Sequence, residues 1–462
     1  MSVSKISKIN YQTTRKERFG FPMYTMGLNS SMNFINGFML LFFTDYLFLP
    51  AAALAVVILG VRAFDAINDP MFGVIFDKVN LKSGKFRPWL RIGMIAVPIT
   101  TFLIFAIPRG LPMPVSLGLV VLTYVLSDIA LTVSSTPNLS SISAITTDIN
   151  ERTKLVGYIG VADILGMIIV SILLIPQIER IGFRSVAGIL AVIAFLAMIT
   201  YPMVIKERNQ EKVKSEEHYT VREMFNFIRK NRYLLHFYSF ICIFGIFMIP
   251  LANHVILHGR GSLDYVAIYT AVSIPLLLVV YLTIPIITKK FDRLKLFKGA
   301  MISLIFIMTA MYFGGYTNAF VLGFFFVLRN TVFMASVALA VTFAADFVEY
   351  GNFITGVRQE GLTFSVNTFA IKVMLAASGA LAALVLALIG YDGSLAVQPV
   401  ESVERLWLAS NGVPIIGLLL GLPLLFRCKF KCSDIQIMAD INAGKIDREE
   451  GEALLSRKYE AK

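Results

Sequence analysis

The chain alternates long apolar runs with short polar breaks, and the breaks count the runs. Runs near 20–48, 51–77, 89–108, 113–147, 155–175 and 184–205 are each long enough to cross a hydrocarbon layer, which takes about 20 helical residues. A polar stretch of mixed charge follows at 206–232, "KERNQEKVKSEEHYTVREMFNFIRKNR". Six further runs lie near 233–256, 265–288, 296–313, 319–349, 360–390 and 405–426. The pattern predicts an all-α membrane protein of twelve transmembrane helices in two six-helix bundles, 1–205 and 233–426, joined by a central cytoplasmic loop at 206–232. Two six-span halves with a long connection are the plan of a rocking-bundle transporter. The tail, 427–462, spaces apolar residues at helical intervals among charges, which predicts a cytoplasmic amphipathic helix, packed on the bundle or lying at the interface.

Composition agrees with the pattern. Of 462 residues, 56% are hydrophobic and 16% charged, and the mean hydropathy is +0.72. A soluble protein of this size needs more polar surface to cover its core. A net charge of +12 raises the question of nucleic acid, but the basic residues are not spread evenly. They gather in "DKVNLKSGKFRPW", "DINERTK", the central loop and "KKFDRLKLFK", whereas "IPRGLPMP", "HGRGSLD" and "GGYTNA" carry little charge. That asymmetry puts the basic side, and with it both termini, in the cytoplasm. The expected setting is the cell (inner) membrane, with lipid rather than nucleic acid as partner, and a chain that works as a monomer. The opening "MSVSKISKINYQTTRKERFG" lacks the short apolar core of a cleavable signal peptide. Cys242, Cys428 and Cys432 show no metal spacing. The last two lie just past the final span, where lipidation is open, although the plain expectation is inert thiols. No histidine falls mid-span, so a histidine proton relay is not expected.

The second span raises the sharpest question. "ILGVRAFDAINDPMFGVIFDK" places Arg62, Asp65 and Asp69 where lipid makes each charge cost about 2.5–3.5 kcal/mol. Their spacing of three and four puts them on one helical face, with Asn68 on the adjoining flank. Asp65 and Asp69 stand about 6 Å apart along the axis. Two carboxylates at that separation can close around one small cation with the Asn68 oxygen as a further ligand, or one of them can take a proton. The blander alternative is an intrahelical Arg62–Asp65 pair lining a wet cavity. Pro70 directly follows Asp69, and the carbonyl it frees near Ala66 is available to an ion or to water.

The run "RAFDAINDPMFGVIFDKVNLKSGKFRPW" resembles the second-helix signature of the glycoside–pentoside–hexuronide:cation symporter family, the melibiose-permease-like branch of the major facilitator superfamily. "AADFVEYGNFITGVRQEGLTFSVNTFAIK" is similar to that family's loop and eleventh helix, and "FFTDYLF" and "TPNLSSISAITTDINER" match more weakly. The resemblance implies the major facilitator fold and cation-coupled symport of a sugar or glycoside, with Na⁺ or H⁺ as coupling ion and no cofactor. It implies a cation site of Asp65, Asn68, Asp69 and Thr132, with Lys372 of the eleventh helix compensating the acids when the ion leaves. The sugar-gripping acids of melibiose-type members fall on Asn29 and Ser135 here, and their fifth-helix arginine on Gly160. Amide and hydroxyl bond sugar hydroxyls more weakly than carboxylates do, so a galactoside held in that manner is not expected. This leaves open a divergent member that moves a non-glycoside such as a lysolipid.

Other polar residues complete the candidate list. Asp128 lies seven residues before Ser135, on a similar face, and is a candidate substrate ligand or outer gate. Asp163 follows Gly160 by three. Asn367 and Thr368 precede Lys372 by about one turn, within reach of a pocket. Arg329, inside the tenth span, calls for an acid partner. Asp346 and Glu349 are candidate gate residues opposite loop arginines such as Arg358. Asp77 and Arg87, in "GVIFDK" and "GKFR", match the superfamily's latch between spans two and three. One enzymatic alternative deserves weighing: "DAIND" offers a D-x-x-x-D pair of the kind that holds Mg²⁺-diphosphate in intramembrane prenyltransferases. No second such pair follows, and the first lies mid-span, so an enzyme is not expected.

Overall fold

The computed structural model describes residues 12–78, 84–146, 149–208, 229–356, 360–395, 397–442, 444–456 and 459. Arg358 lies outside the described residues, and so do the side chains of Asp69 and Asp77. The described chain is helical throughout its length, and it divides into two compact units. One comprises Met1–Ser215, Ser262–Ala267 and Asp392–Ala396; the other comprises Glu216–Gly261, Ile268–Tyr391 and Val397–Lys462.

The first unit holds α1 (Arg15–Leu41), α2 (Ala51–Lys78), α3 (Arg87–Phe105), α4 (Met113–Ile145), α5 (Ile149–Met167), α6 (Ile175–Met198) and the single turn α7 (Thr200–Val204). The start of α1 is fixed by "TRKE": the Thr14 hydroxyl accepts from the Glu17 N–H, and the Glu17 carboxylate accepts from the Thr14 N–H at 2.7 Å. This capping box satisfies two donors that a helix start leaves open. A π-helical stretch, Ile168–Leu174, carries α5 into α6. The regular path breaks only at Gly182 (φ 80°), a left-handed backbone that glycine adopts without steric cost. That is where the apolar pattern separates the fifth span from the sixth. Gly27 lets α1 press onto α6, since a Cβ there would lie 2.9 Å from the Ala194 carbonyl oxygen. Phe21, Tyr24, Leu28, Leu90, Val97 and Tyr201 fill the space so formed.

The second unit holds α8 (Arg232–Phe247), α9 (Ala252–Arg260), α10 (Asp264–Lys290), α11 (Arg293–Gly314), α12 (Ala319–Thr355), α13 (Glu360–Leu388), α14 (Val400–Arg427), α15 (Cys432–Asn442) and α16 (Arg448–Leu454). An aromatic core of Phe237, Phe297, Phe343, Phe347 and Phe430 joins α8, α11, α12 and the segment after α14. Two expectations are corrected here. The run 233–256 is not one helix: α8 stops at Phe247, just before Pro250, and α9 restarts at Ala252. Proline lacks the N–H that would continue the ladder. The tail is not one helix either, because Gly444 (φ 67°) turns the chain between α15 and α16. The tail packs on α12: Asn442 donates to the Glu349 carboxylate at 3.0 Å, and the Tyr459 hydroxyl, 8% exposed, donates to Asp434 at 2.6 Å.

Among the described residues, nine helical stretches are long and apolar enough to cross a membrane. One of them, Gly157–Val204, is 48 residues long and contains the Gly182 break. Helix α2 is not among the nine, and α1 is not either.

Candidate functional site

Three helices of the first unit meet around a group of buried charges. From α2, the Arg62 guanidinium donates through Nη2 to Asn36 Oδ1 of α1 at 3.3 Å. Its Nη1 stands 3.9 Å from Asp128 Oδ1 of α4, and its carbon lies 5.6 Å from the centroid of the Tyr124 ring. Asp65, one turn along α2 and 5% exposed, lies within hydrogen-bonding reach of Asp128 and in the field of Arg62. Asn68 (5% exposed) and Thr132 (7%) continue the two buried faces, each about one turn farther along its helix. The Asn68 Nδ2 and Asp128 Oδ2 atoms are buried without a hydrogen-bond partner among the described residues.

The cluster therefore holds two acids and one base, walled by α1, α2 and α4. Taken together those described groups carry one net negative charge when both acids are ionised, a state that lipid penalises. One monovalent cation or one proton balances it. Among the described residues no group of three or more His, Cys, Asp and Glu side chains gathers. Oxygens from Asn68 and Thr132 would have to complete a coordination shell, and oxygen donors of this kind suit a hard cation.

The structure gives several residues of the expected list their neighbours. Asp69 was the expected partner of Asp65; its side chain is outside the description, and the acid described beside Asp65 is Asp128. Asp128, expected as a substrate ligand or outer gate, faces Arg62 across the α2–α4 seam. Arg62 interacts with Asp65 of its own helix and also reaches two neighbouring helices. Asn36 and Tyr124 escaped the sequence reading. Asn36 was accessible to it, since it repeats the Asn29 position after seven residues and so shares its face.

Asn29 donates through Nδ2 to Asp163 Oδ1 of α5, joining a residue on the list to one given little weight. Beside them Gly160 faces open space, with nothing within 4 Å of where a Cβ would stand. Ser135 is half-buried on α4.

A second set of contacts ties the polar ends of the first unit. Glu17 is 0% exposed and receives both Nη1 and Nη2 of Arg208, at 3.0 and 2.9 Å, and the Lys206 N–H. Burial alone would raise its pKa, but Arg208 and the backbone donors outweigh that and hold it below the ordinary carboxylate value. Glu151, also 0% exposed, receives the Thr146 hydroxyl at 2.7 Å together with the Thr13 hydroxyl and N–H. Here too the hydrogen bonds overcome burial and lower the pKa. Glu207 caps the entry to α3 by accepting from the N–H groups of Lys85, Phe86 and Arg87 at 2.7–2.9 Å. Arg87 itself binds the carbonyls of Pro202 and Met203. None of these three glutamates was singled out from the sequence, although "TRKE" carries the capping signature of Glu17.

In the second unit, Lys372 and Asn367 are half-buried and Thr368 exposed, all on α13. Asp346 pairs with Arg293 at 2.8 Å, and Glu349 receives Asn442 of the tail. Arg329, expected to meet an acid, meets the Phe326 face at 5.1 Å among the described residues. A cation over a ring is a partial substitute for an anion. Cys428 is fully buried, its thiol donating to the Tyr233 carbonyl, and burial pushes its pKa up to about 12. That environment does not suit the open lipidation reading.

Comparison with known proteins agrees with this architecture. The model of the family described as MFS/sugar transport protein matches residues 19–431. The inner membrane symporter YicJ of Escherichia coli (strain K12) is 26% identical over 420 residues, covering 88% of this chain and 90% of its own. The isoprimeverose transporter of Lactiplantibacillus pentosus is 24% identical over 451 residues, covering 92% and 91%. Among solved structures, the D-xylose-proton symporter superposes with a TM-score of 0.60 at 13% identity, over 88% of this chain and 96% of that one, a likeness of fold. The diphosphate-binding enzyme reading falls with these matches. The chain is a membrane transporter and not an enzyme, and it belongs to the MFS/sugar transport protein family.

Proposed function

We propose that this chain carries a sugar or glycoside together with Na⁺ or H⁺ across the inner membrane by alternating access. The observation that carries the coupling half of this reading is the buried group of Arg62, Asp65 and Asp128, which among the described residues is short of one positive charge when both acids are ionised. An ion or proton that fills the deficit lowers the cost of the substrate-competent arrangement, and a difference in binding free energy between states is what couples two solutes. Asn68, Asp69 and Thr132 complete the proposed cation site, and Lys372 is the proposed counter-charge after release. The substrate half is supported by the relatives' names and by the Asn29–Asp163 pair beside the open space at Gly160. An amide and a carboxylate suit hydroxyl groups, and a fifth helix with glycine at that position offers no cation to a uronate. A neutral glycoside is therefore the favoured substrate class.

On this reading the chain has twelve spans, with α1 and α2 as the first two despite their charges, and the Gly182 break separating the fifth from the sixth. The basic loops place both termini in the cytoplasm. Arg87, Asp77, Asp346, Glu349 and Arg358 belong to the cytoplasmic gate, and one polypeptide suffices for transport. The test is uptake of radiolabelled neutral glycosides into proteoliposomes under an imposed Na⁺ or H⁺ gradient. Wild type should concentrate the substrate, and Asp65→Asn should allow only equilibration. Concentrative uptake by Asp65→Asn at the wild-type rate would overturn the cation assignment.

A further inference from the structure

Arg329 stands on α12, past the start of the helix at Ala319. That places it about 15 Å along the axis, near the middle of a hydrocarbon layer about 30 Å thick. An arginine close to the end of a span can stretch its stem and keep its head at the surface, but from mid-depth neither surface is in reach. A guanidinium at that depth faces the interior of a bundle or a wet passage, because lipid makes its charge expensive. Arg329 is half-buried. Among the described residues no acid acts on it; what it meets is the Phe326 ring, at 5.1 Å.

That ring is held in place. Tyr269 of α10, 5% exposed, packs against Phe326 with 5.6 Å between centroids, and its hydroxyl donates to the Ala319 carbonyl at 2.9 Å. Gly323 makes room for the tyrosine, since a Cβ there would come 2.5 Å from its ring. A glycine, a buried tyrosine and a phenylalanine thus seat one guanidinium whose N–H groups find no acceptor among the described residues. The face of the ring offsets part of the charge without an anion, and the donor fork stays open.

We infer that Arg329 binds the substrate, its fork donating to two adjacent hydroxyl oxygens of the glycoside while Phe326 serves as its seat. This rests on the transport reading and gives the second unit a sugar contact of its own. Hydrogen bonds from an ionised donor are about twice as strong as neutral ones, and the fixed geometry of a guanidinium suits a pair of neighbouring acceptors. A neutral ligand fits because the ring already offsets the charge.

Equilibrium binding to the full chain in nanodiscs tests it, with neutral p-nitrophenyl glycosides as probes and the one that wild type binds most tightly carried forward. Arg329→Gln should bind that probe about 10- to 100-fold more weakly, the worth of hydrogen bonds to a charged donor at tenfold per about 1.4 kcal/mol. Arg329→Lys keeps the charge but not the fork, and should lose nearly as much. Arg329→Gln should also unfold at or above the wild-type temperature, because it removes a cation at mid-depth and breaks no described ion pair. A role in packing alone would lower that temperature and leave the affinity unchanged. Monodeoxy versions of the probe locate the contact: the loss on Arg329→Gln should shrink at two adjacent positions and stay whole at the others. Wild-type affinity in either variant, or a loss that stays whole at every position, would overturn the proposal. So would a p-nitrophenyl glucuronide that binds wild type more tightly than its neutral counterpart and loses that advantage in Arg329→Gln, which would mark a carboxylate site. If no neutral glycoside binds wild type, the transport reading falls as well; binding that survives the variants sinks this contact alone.

Discussion

Replacing Arg62 by glutamine removes the one base described among two facing acids, and the structure gives the cost a scale. With Asp128 ionised, a unit charge pair at 3.9 Å interacts by about 4 kcal/mol at an effective dielectric of about 20. Arg62 and Asp128 are 16% and 8% exposed, so little solvent screening discounts that figure. Removing one partner of such a pair costs about 3–5 kcal/mol, because the other charge stays buried. Here the loss falls on two acids, since Asp65 lies within reach of Asp128 and would face it unrelieved. Asp128→Asn is a different perturbation: it leaves Arg62 with Asp65 and brings the described cluster to neutrality without an ion. The order of stability in detergent should therefore be wild type close to Asp128→Asn, with Arg62→Gln several kilocalories lower. The double variant Arg62→Gln/Asp128→Asn should recover most of the loss, because its remaining charge again equals that of wild type. Thermal unfolding followed by tryptophan fluorescence, with the four proteins at one salt concentration, reads this cycle. Additive losses, or a lower stability for Asp128→Asn than for Arg62→Gln, would show that charge balance is not what holds these helices together.

Three further outcomes follow from particular contacts. Glu17→Gln should cost about 2–3 kcal/mol at neutral pH, the worth of buried hydrogen bonds to a charged group. Because folding lowers the Glu17 pKa from its ordinary 4.5, that stabilisation is complete above 4.5 and fades as pH falls through the lower folded value; the gap between wild type and variant in unfolding midpoints should narrow there and nowhere higher. Gly27→Ala drives a Cβ to 2.9 Å from Ala194 O and should cost about 1–3 kcal/mol as overpacking, whereas Gly160→Ala, which meets nothing within 4 Å, should stay within about 0.5 kcal/mol; a thermal-shift comparison separates the two. Tyr459→Phe deletes a buried hydrogen bond to Asp434 and should cost about 1 kcal/mol, seen as faster proteolysis of the tail at limiting trypsin.

Much of the architecture was legible because bilayer physics writes it in large letters. A run of about 20 apolar residues has few fates, so the helix starts near 51, 89, 113, 265, 296 and 319 fall within four residues of those observed. What escaped was local. The break at Pro250 and the turn at Gly444 are single residues whose effect on a helix depends on what surrounds them, and hydropathy averages over both. The intramembrane acids were visible as costs, but their partners were not: spacing shows which groups share a face of one helix and says nothing of which neighbour that face meets. That is why Arg62 was read against Asp65 of its own helix, while Asn36 and Asp128 come from two others. Glu17, Glu151 and Glu207 sit in segments that read as ordinary polar flanks, and only tertiary structure reveals that their carboxylates point inward.

Those three glutamates bear on how the first unit can move. Between them they stitch the entry of α1, the α3 entry, the end of α4 and the strand of chain after α7 into one fabric at a single end of the bundle. No helix of that set can slide or tilt alone without tearing charge from its donors, so a push delivered to any one of them travels as a swing of the whole assembly. An antibody fragment or small molecule gripping a single helix end there would consequently act as a handbrake on all of them.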